Sequence, residues 1–79
     1  MERELTYGEK AVGLTFNPSG DADVAQMKTR YAAAINVLDE LRRTANAAGK
    51  GEQSRLASIA ITEAQTAQMW AVKALTWKD

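Results

Sequence analysis

The last third of the chain, Arg55 to Lys73, reads RLASIAITEAQTAQMWAVK and is apolar on too many sides for a simple surface helix. At helical spacing Leu56, Ala60, Ala67, Trp70, Ala74 and Trp77 make one face. Ile61, Val72 and Leu75 lie well round from it. A surface helix carries a single apolar stripe about 100° wide, and one hairpin partner covers only one side. The excess predicts an obligate oligomer, with further copies covering the remaining surface and pockets shared between chains.

Size points the same way. Seventy-nine residues support one domain near the lower limit for a self-sufficient core. With no Cys and no His, disulfides, thiolate ligands and the commonest metal ligand and general base are all missing. Oligomerisation is the staple that remains. No metal and no cofactor are expected, and any acid–base or nucleophilic work falls to carboxylates, Lys, Tyr or hydroxyls. Ten Lys and Arg balance ten Asp and Glu, which argues against tracking along DNA or RNA. It leaves room for a few cations focused in a pocket. No apolar run approaches the roughly 20 residues of a membrane span, and MERELTYGEK lacks the apolar stretch of a signal peptide. The expectation is an intracellular chain without membrane or nucleic-acid partners.

Two units are expected: an N-terminal arm and turn over residues 1–20, and an all-α antiparallel two-helix hairpin over residues 21–79. In the arm, Gly8, Gly13, Pro18 and Gly20 interrupt helix formation, and Asn17-Pro18-Ser19-Gly20 is strong turn chemistry. Val12, Leu14 and Phe16 alternate as a short strand would, but no partner strand is visible, so an irregular arm across a helical body is the expectation. From Asp21 to Ala47 the residues Val24, Met27, Tyr31, Ala34, Leu38, Leu41 and Ala45 recur in steps of three and four, predicting a packed seam. Asp21 and Asp23 suit the N-terminal end of this helix and Arg42 and Arg43 its C-terminal end. Ala47-Ala48-Gly49-Lys50-Gly51 breaks it, and a second helix runs from Glu52 or Gln53 to Trp77.

Few polar residues stand out. Glu63 interrupts the apolar face of the second helix between Ala60 and Ala67, where a neighbouring subunit's cation or backbone donor would pair it. Trp70, Met69, Val72 and Leu75 are read as packing in the hairpin or between subunits. Tyr7 and Phe16 have two fates: clamping the arm onto the helices, or stacking on a nucleobase. Asn17 lies in the turn just before a helix N-terminus, a natural anion site that ordinary capping also explains. Lys28 and Arg30 sit within two turns of that helix start. Arg55, Ser58 and Thr62 share one face of the second helix.

Two stretches carry a resemblance: Phe16-Asn17-Pro18-Ser19-Gly20, and Ser54-Arg55, Ile59-Ala60-Ile61-Thr62 and Ala67–Ala74 in the second helix. The chain resembles the phage anti-CBASS sponges, small anti-defence proteins that sequester cyclic nucleotide signals, and the related helical hairpin of Thoeris anti-defence proteins. The resemblance implies a compact homohexamer without catalytic activity, in the cytoplasm of an infected bacterial host. It implies cyclic dinucleotides held between protomer pairs and cyclic trinucleotides held where three protomers meet. The Thoeris branch instead captures cyclic ADP-ribose isomers, and its members often carry an added N-terminal β portion that the short arm here lacks. By the same resemblance, Phe16 or Tyr7 stacks on a base, Asn17 hydrogen-bonds the ligand, and Lys28 with Arg30 neutralises a phosphate. Arg55 and Thr62, with Ser58, would serve the threefold pocket. Outside that family, an oligomeric module docking on a host protein is the rival reading, and an enzyme degrading cyclic nucleotides the second.

Overall fold

A computed structural model describes residues 3–79 as three helices: α1 (Tyr7–Ala11), α2 (Ala22–Ala47) and α3 (Gly51–Thr76), with no strand among the described residues. The first two residues of the expected arm lie outside the described residues. The sequence dictates both ends of α2. The Asp21 carboxylate accepts the N–H groups of Asp23 at 2.8 Å and Val24 at 3.4 Å, satisfying donors the helix cannot pair internally. At the far end Gly49 takes φ +73°, so the Lys50 N–H returns to the Ala45 carbonyl at 2.9 Å and the Gly49 N–H to Asn46 at 3.1 Å. The reversal sends α3 back antiparallel to α2, which places Val72 and Thr76 beside Val24 and Lys28.

The arm corrects one expectation. It is not irregular: Tyr7–Ala11 is helical, and its punctuation is complete. The Thr6 hydroxyl accepts the Glu9 N–H at 3.1 Å while the Glu9 carboxylate accepts the Thr6 N–H at 2.8 Å, a reciprocal capping box. Gly13, at φ +62°, ends the turn, with the Leu14 N–H donating to the Glu9 carbonyl at 3.0 Å. Gly8 breaks nothing. Its bare Cα lets α1 lie directly on α2: a Cβ there would overlap the Ala32 carbonyl oxygen and the Asn36 side chain. Asn36 fixes the contact by accepting the Gly8 N–H at 2.7 Å and donating to the Thr6 hydroxyl at 3.0 Å.

The expected seam of α3 is rotated, and that of α2 is kept in part, with Val24 and Ala45 buried and Met27, Tyr31 and Leu38 half-buried. On α2 the buried positions are Val24, Lys28, Ala32, Ile35, Asp39 and Ala45, whereas Ala34 and Leu41, expected inside, are exposed. On α3 the packed positions are Ala57, Ile61 and Gln68, with Val72 half-buried. The face formed by Leu56, Trp70 and Trp77 points outward, the two Trp each 64% exposed. The true seams contain Lys28, Asp39 and Gln68, so their apolar periodicity is broken. Two of these polar groups survive inside because partners are supplied: Asp39 takes Arg42 at 2.6 Å and Arg43 at 3.3 Å, and Lys28 takes two carbonyls of the arm.

The core forms where arm and hairpin meet, at Val12, Ala32, Ile35 and Ile61, flanked by Leu14, Tyr31 and Leu38. It is small, with Ile35 the one large side chain wholly buried among the described residues. The Cα trace spans 47 × 37 × 13 Å, so the molecule is a flat slab. No helix among the described residues is long and apolar enough to cross a membrane.

Candidate functional site

The arm crosses the open end of the hairpin between α1 and α2, and Lys28 ties it down. Its ammonium donates to the Gly13 carbonyl at 3.0 Å and the Phe16 carbonyl at 2.5 Å, and Lys28 is only 6% exposed. An ammonium has three donors, so one remains. The Phe16 N–H bonds to the Gly13 carbonyl at 2.9 Å, closing a turn that fixes the Phe16 backbone on both sides. The ring itself is left out: Phe16 is 72% exposed, with the Lys28 Nζ 5.5 Å from its centroid. A rigidly anchored backbone thus presents an uncovered aromatic face beside a buried cation.

Two cavities flank this pair. The smaller, about 210 Å³, lies under the Asn17-Pro18-Ser19 turn against Val24, Val72 and Thr76. The larger, about 610 Å³, runs from Lys10 and Gly13 across Phe16 and Lys28 to Gln65, Gln68 and Met69 of α3. Asn17 lines the smaller one and holds the turn, its amide donating to the Asp21 carbonyl at 2.9 Å and its oxygen accepting from the Ser19 hydroxyl at 3.4 Å. The Gln65 amide donates to the Ala11 carbonyl at 3.4 Å, pinning α3 to the end of α1.

Phe16, Asn17 and Lys28 therefore converge on one place. Tyr7 does not join them: it lines a separate cavity of about 690 Å³ with Asn36, Asp39 and Arg43. There the Arg42 guanidinium lies 5.2 Å from its ring centroid. The pK of Arg42 is raised, first by the hydrogen bond to Asp39 and then by the neighbouring Tyr7. Arg30 is exposed and stands about 200° round the helix from Lys28, outside both cavities. Arg55, Ser58 and Thr62 remain together along α3 but away from the arm. The Arg55 guanidinium pairs with Glu52 at 2.6 Å, which raises its pK, and both side chains are largely exposed. The hydroxyls of Ser58 and Thr62 donate to the carbonyls one turn back, at 3.1 and 3.3 Å.

Lys10, Gln65 and Gln68 were missed from sequence. Gln68 carried the one available signal, its place in the steps Ala57, Ile61, Gln68 and Val72 on a single face of α3. Among the described residues no cluster of three or more His, Cys, Asp or Glu could hold a metal ion.

The family model for the Acb2/Tad1 hairpin domain matches residues 9–76. The chain belongs to that family. No curated protein and no solved structure gives a significant match to it. The family is one of anti-defence sponges for cyclic nucleotides, which bind their ligands. The matched residues begin at Glu9, so they take in Phe16, Asn17, Lys28 and all of the hairpin, and leave out Tyr7. Of the two aromatic candidates on the arm, the exposed Phe16 is the one inside the family's own boundaries.

Proposed function

We propose that this member of the Acb2/Tad1 hairpin family sequesters cyclic oligonucleotide second messengers without cleaving them. Cyclic dinucleotides are its foremost ligands, and the effect is to keep CBASS effectors inactive in the cytoplasm of an infected bacterial host. The observation that carries the reading is the exposed Phe16 ring on a backbone fixed by Lys28, with a cavity on either side. A base stacks on Phe16, a contact worth about 1–3 kcal/mol. The remaining N–H of Lys28 meets a phosphate, and Asn17 supplies a hydrogen bond at the turn. Because the anchor is already rigid, little ordering entropy is lost on binding.

One chain offers half of such a site. A cyclic dinucleotide has two bases and two phosphates in approximate twofold symmetry, and a protomer dyad supplies one Phe16 and one Lys28 from each side. The uncovered face of α3, where Leu56, Trp70 and Trp77 are all more than half exposed, is the surface on which copies assemble. A hexamer is the state that the resemblance suggests. Arg55, Ser58 and Thr62 are assigned to a second pocket for cyclic trinucleotides. The Arg55–Glu52 pair is exposed and weak, so Arg55 swings to a phosphate at little cost.

A sponge for cyclic ADP-ribose isomers is the second reading. The test is to titrate the full chain with a cyclic dinucleotide by calorimetry, denature the complex by heat, and assay what is released. Intact ligand supports sequestration, cleaved product indicates an enzyme, and absence of binding favours a docking module.

A further inference from the structure

Three polar or charged residues are buried among the described residues: Lys28, Asp39 and Gln68. Lys28 gives two of its three N–H groups to carbonyls, and Asp39 pairs with two arginines. Gln68 is 5% exposed, and its side-chain amide makes no hydrogen bond among the described residues. No side-chain polar atom there is both sealed from solvent and without a partner, and Gln68 lines the cavity of about 610 Å³. A buried amide left unpaired is destabilising. One that faces a cavity of ligand size is placed to pair with whatever enters.

The surroundings define that guest. Phe16 provides a stacking face, Met69 and Val72 an apolar wall, and Lys10 and Lys28 two cations. An aromatic face beside cations fits a base joined to a phosphate, and a primary amide offers a donor and an acceptor side by side. Its complement is a base edge with the same pair reversed, as glutamine makes with the amino group and ring nitrogen of adenine. Gln65, the other amide in the cavity, is already engaged by the Ala11 carbonyl, which leaves Gln68 as the reader.

We propose that the Gln68 amide reads the base edge of the nucleotide stacked on Phe16, making it a specificity-determining residue. This rests on the assignment of the site to cyclic nucleotides. The experiment compares three probes by calorimetry on the full chain: cyclic di-AMP, cyclic di-GMP, and the cyclic dinucleotide of unsubstituted purine. The purine lacks an edge donor but keeps the stacking face and the phosphates. The wild type is expected to hold the better of the first two about tenfold more tightly than the purine ligand. Gln68→Met, which keeps the packing volume, is expected to lose about that tenfold on the better ligand and to stay within about twofold on the purine one. Equal affinity of the wild type for the purine ligand overturns the inference without recourse to any variant. Unchanged affinity of Gln68→Met for the better ligand also overturns it, while leaving the nucleotide site itself standing. A wild type that takes up none of the three removes the site and the inference together.

Discussion

At the proposed site Phe16 and Lys28 divide the labour between a ring and a tether. Phe16→Ala removes the stacking surface but not the backbone bonds, so ligand affinity is expected to fall about ten- to a hundredfold with thermal stability nearly unchanged. Lys28→Ala acts twice, because it removes a cation and frees the carbonyls of Gly13 and Phe16. It is expected to weaken cyclic-dinucleotide binding while the oligomer persists, and to speed amide exchange in the arm, which Phe16→Ala leaves alone. Much of this cluster was legible in the sequence, since Phe16, Asn17 and Lys28 are near neighbours along the chain. Arg30 was misplaced by counting proximity in sequence as proximity in space, although two residues along a helix point to nearly opposite sides. Gln68 went unnoticed because a polar side chain is ordinarily read as facing water. Only the register of the packed face shows otherwise.

At the scale of elements, both long helices and the turn between them follow from caps and breakers that the sequence displays. The short α1 was equally visible in Thr6, Glu9 and Gly13, but Gly8 disguised it as a loop. The packed faces were less readable, because Lys28, Asp39 and Gln68 interrupt them while exposed Leu, Met and Trp mark the opposite side. Lys28 is held by arm carbonyls and Asp39 by arginines of its own helix, and those pairings overrode apolar periodicity. Gly8→Ala is expected to lift α1 off α2, at about 1–3 kcal/mol, from the clash with the Ala32 carbonyl. Urea unfolding followed by circular dichroism measures that loss. The α1 cap also carries a pH dependence. Glu9, held by the hydrogen bond from Arg3 at 2.6 Å and by the Thr6 N–H, has its pK lowered from the usual 4.5 to about 2. A depressed carboxylate stabilises the folded form above its unfolded value, and that contribution is lost as pH falls from about 4.5 towards 2. Amide protection of α1 is expected to decline over that interval in the wild type. In Glu9→Gln it should start lower and stay flat there.

For the whole molecule the governing fact is thinness. A slab whose Cα trace is only 13 Å deep cannot hide the apolar side chains that α3 carries, and Trp70 and Trp77 remain 64% exposed, with Leu56 at 53%. An uncovered apolar face of this kind marks an interaction surface. Trp70→Ala, which touches neither cavity beside Phe16, is therefore expected to disrupt assembly first and to weaken ligand binding only as a consequence. Sedimentation and calorimetry on the same sample separate the two effects. The most direct measurement is the molar mass of the unliganded full chain in dilute buffer by light scattering. A discrete multiple of 8.6 kDa, with six copies expected, is the predicted result. A stable, well-folded monomer would contradict the claim that copies of this chain complete one another's surfaces and sites.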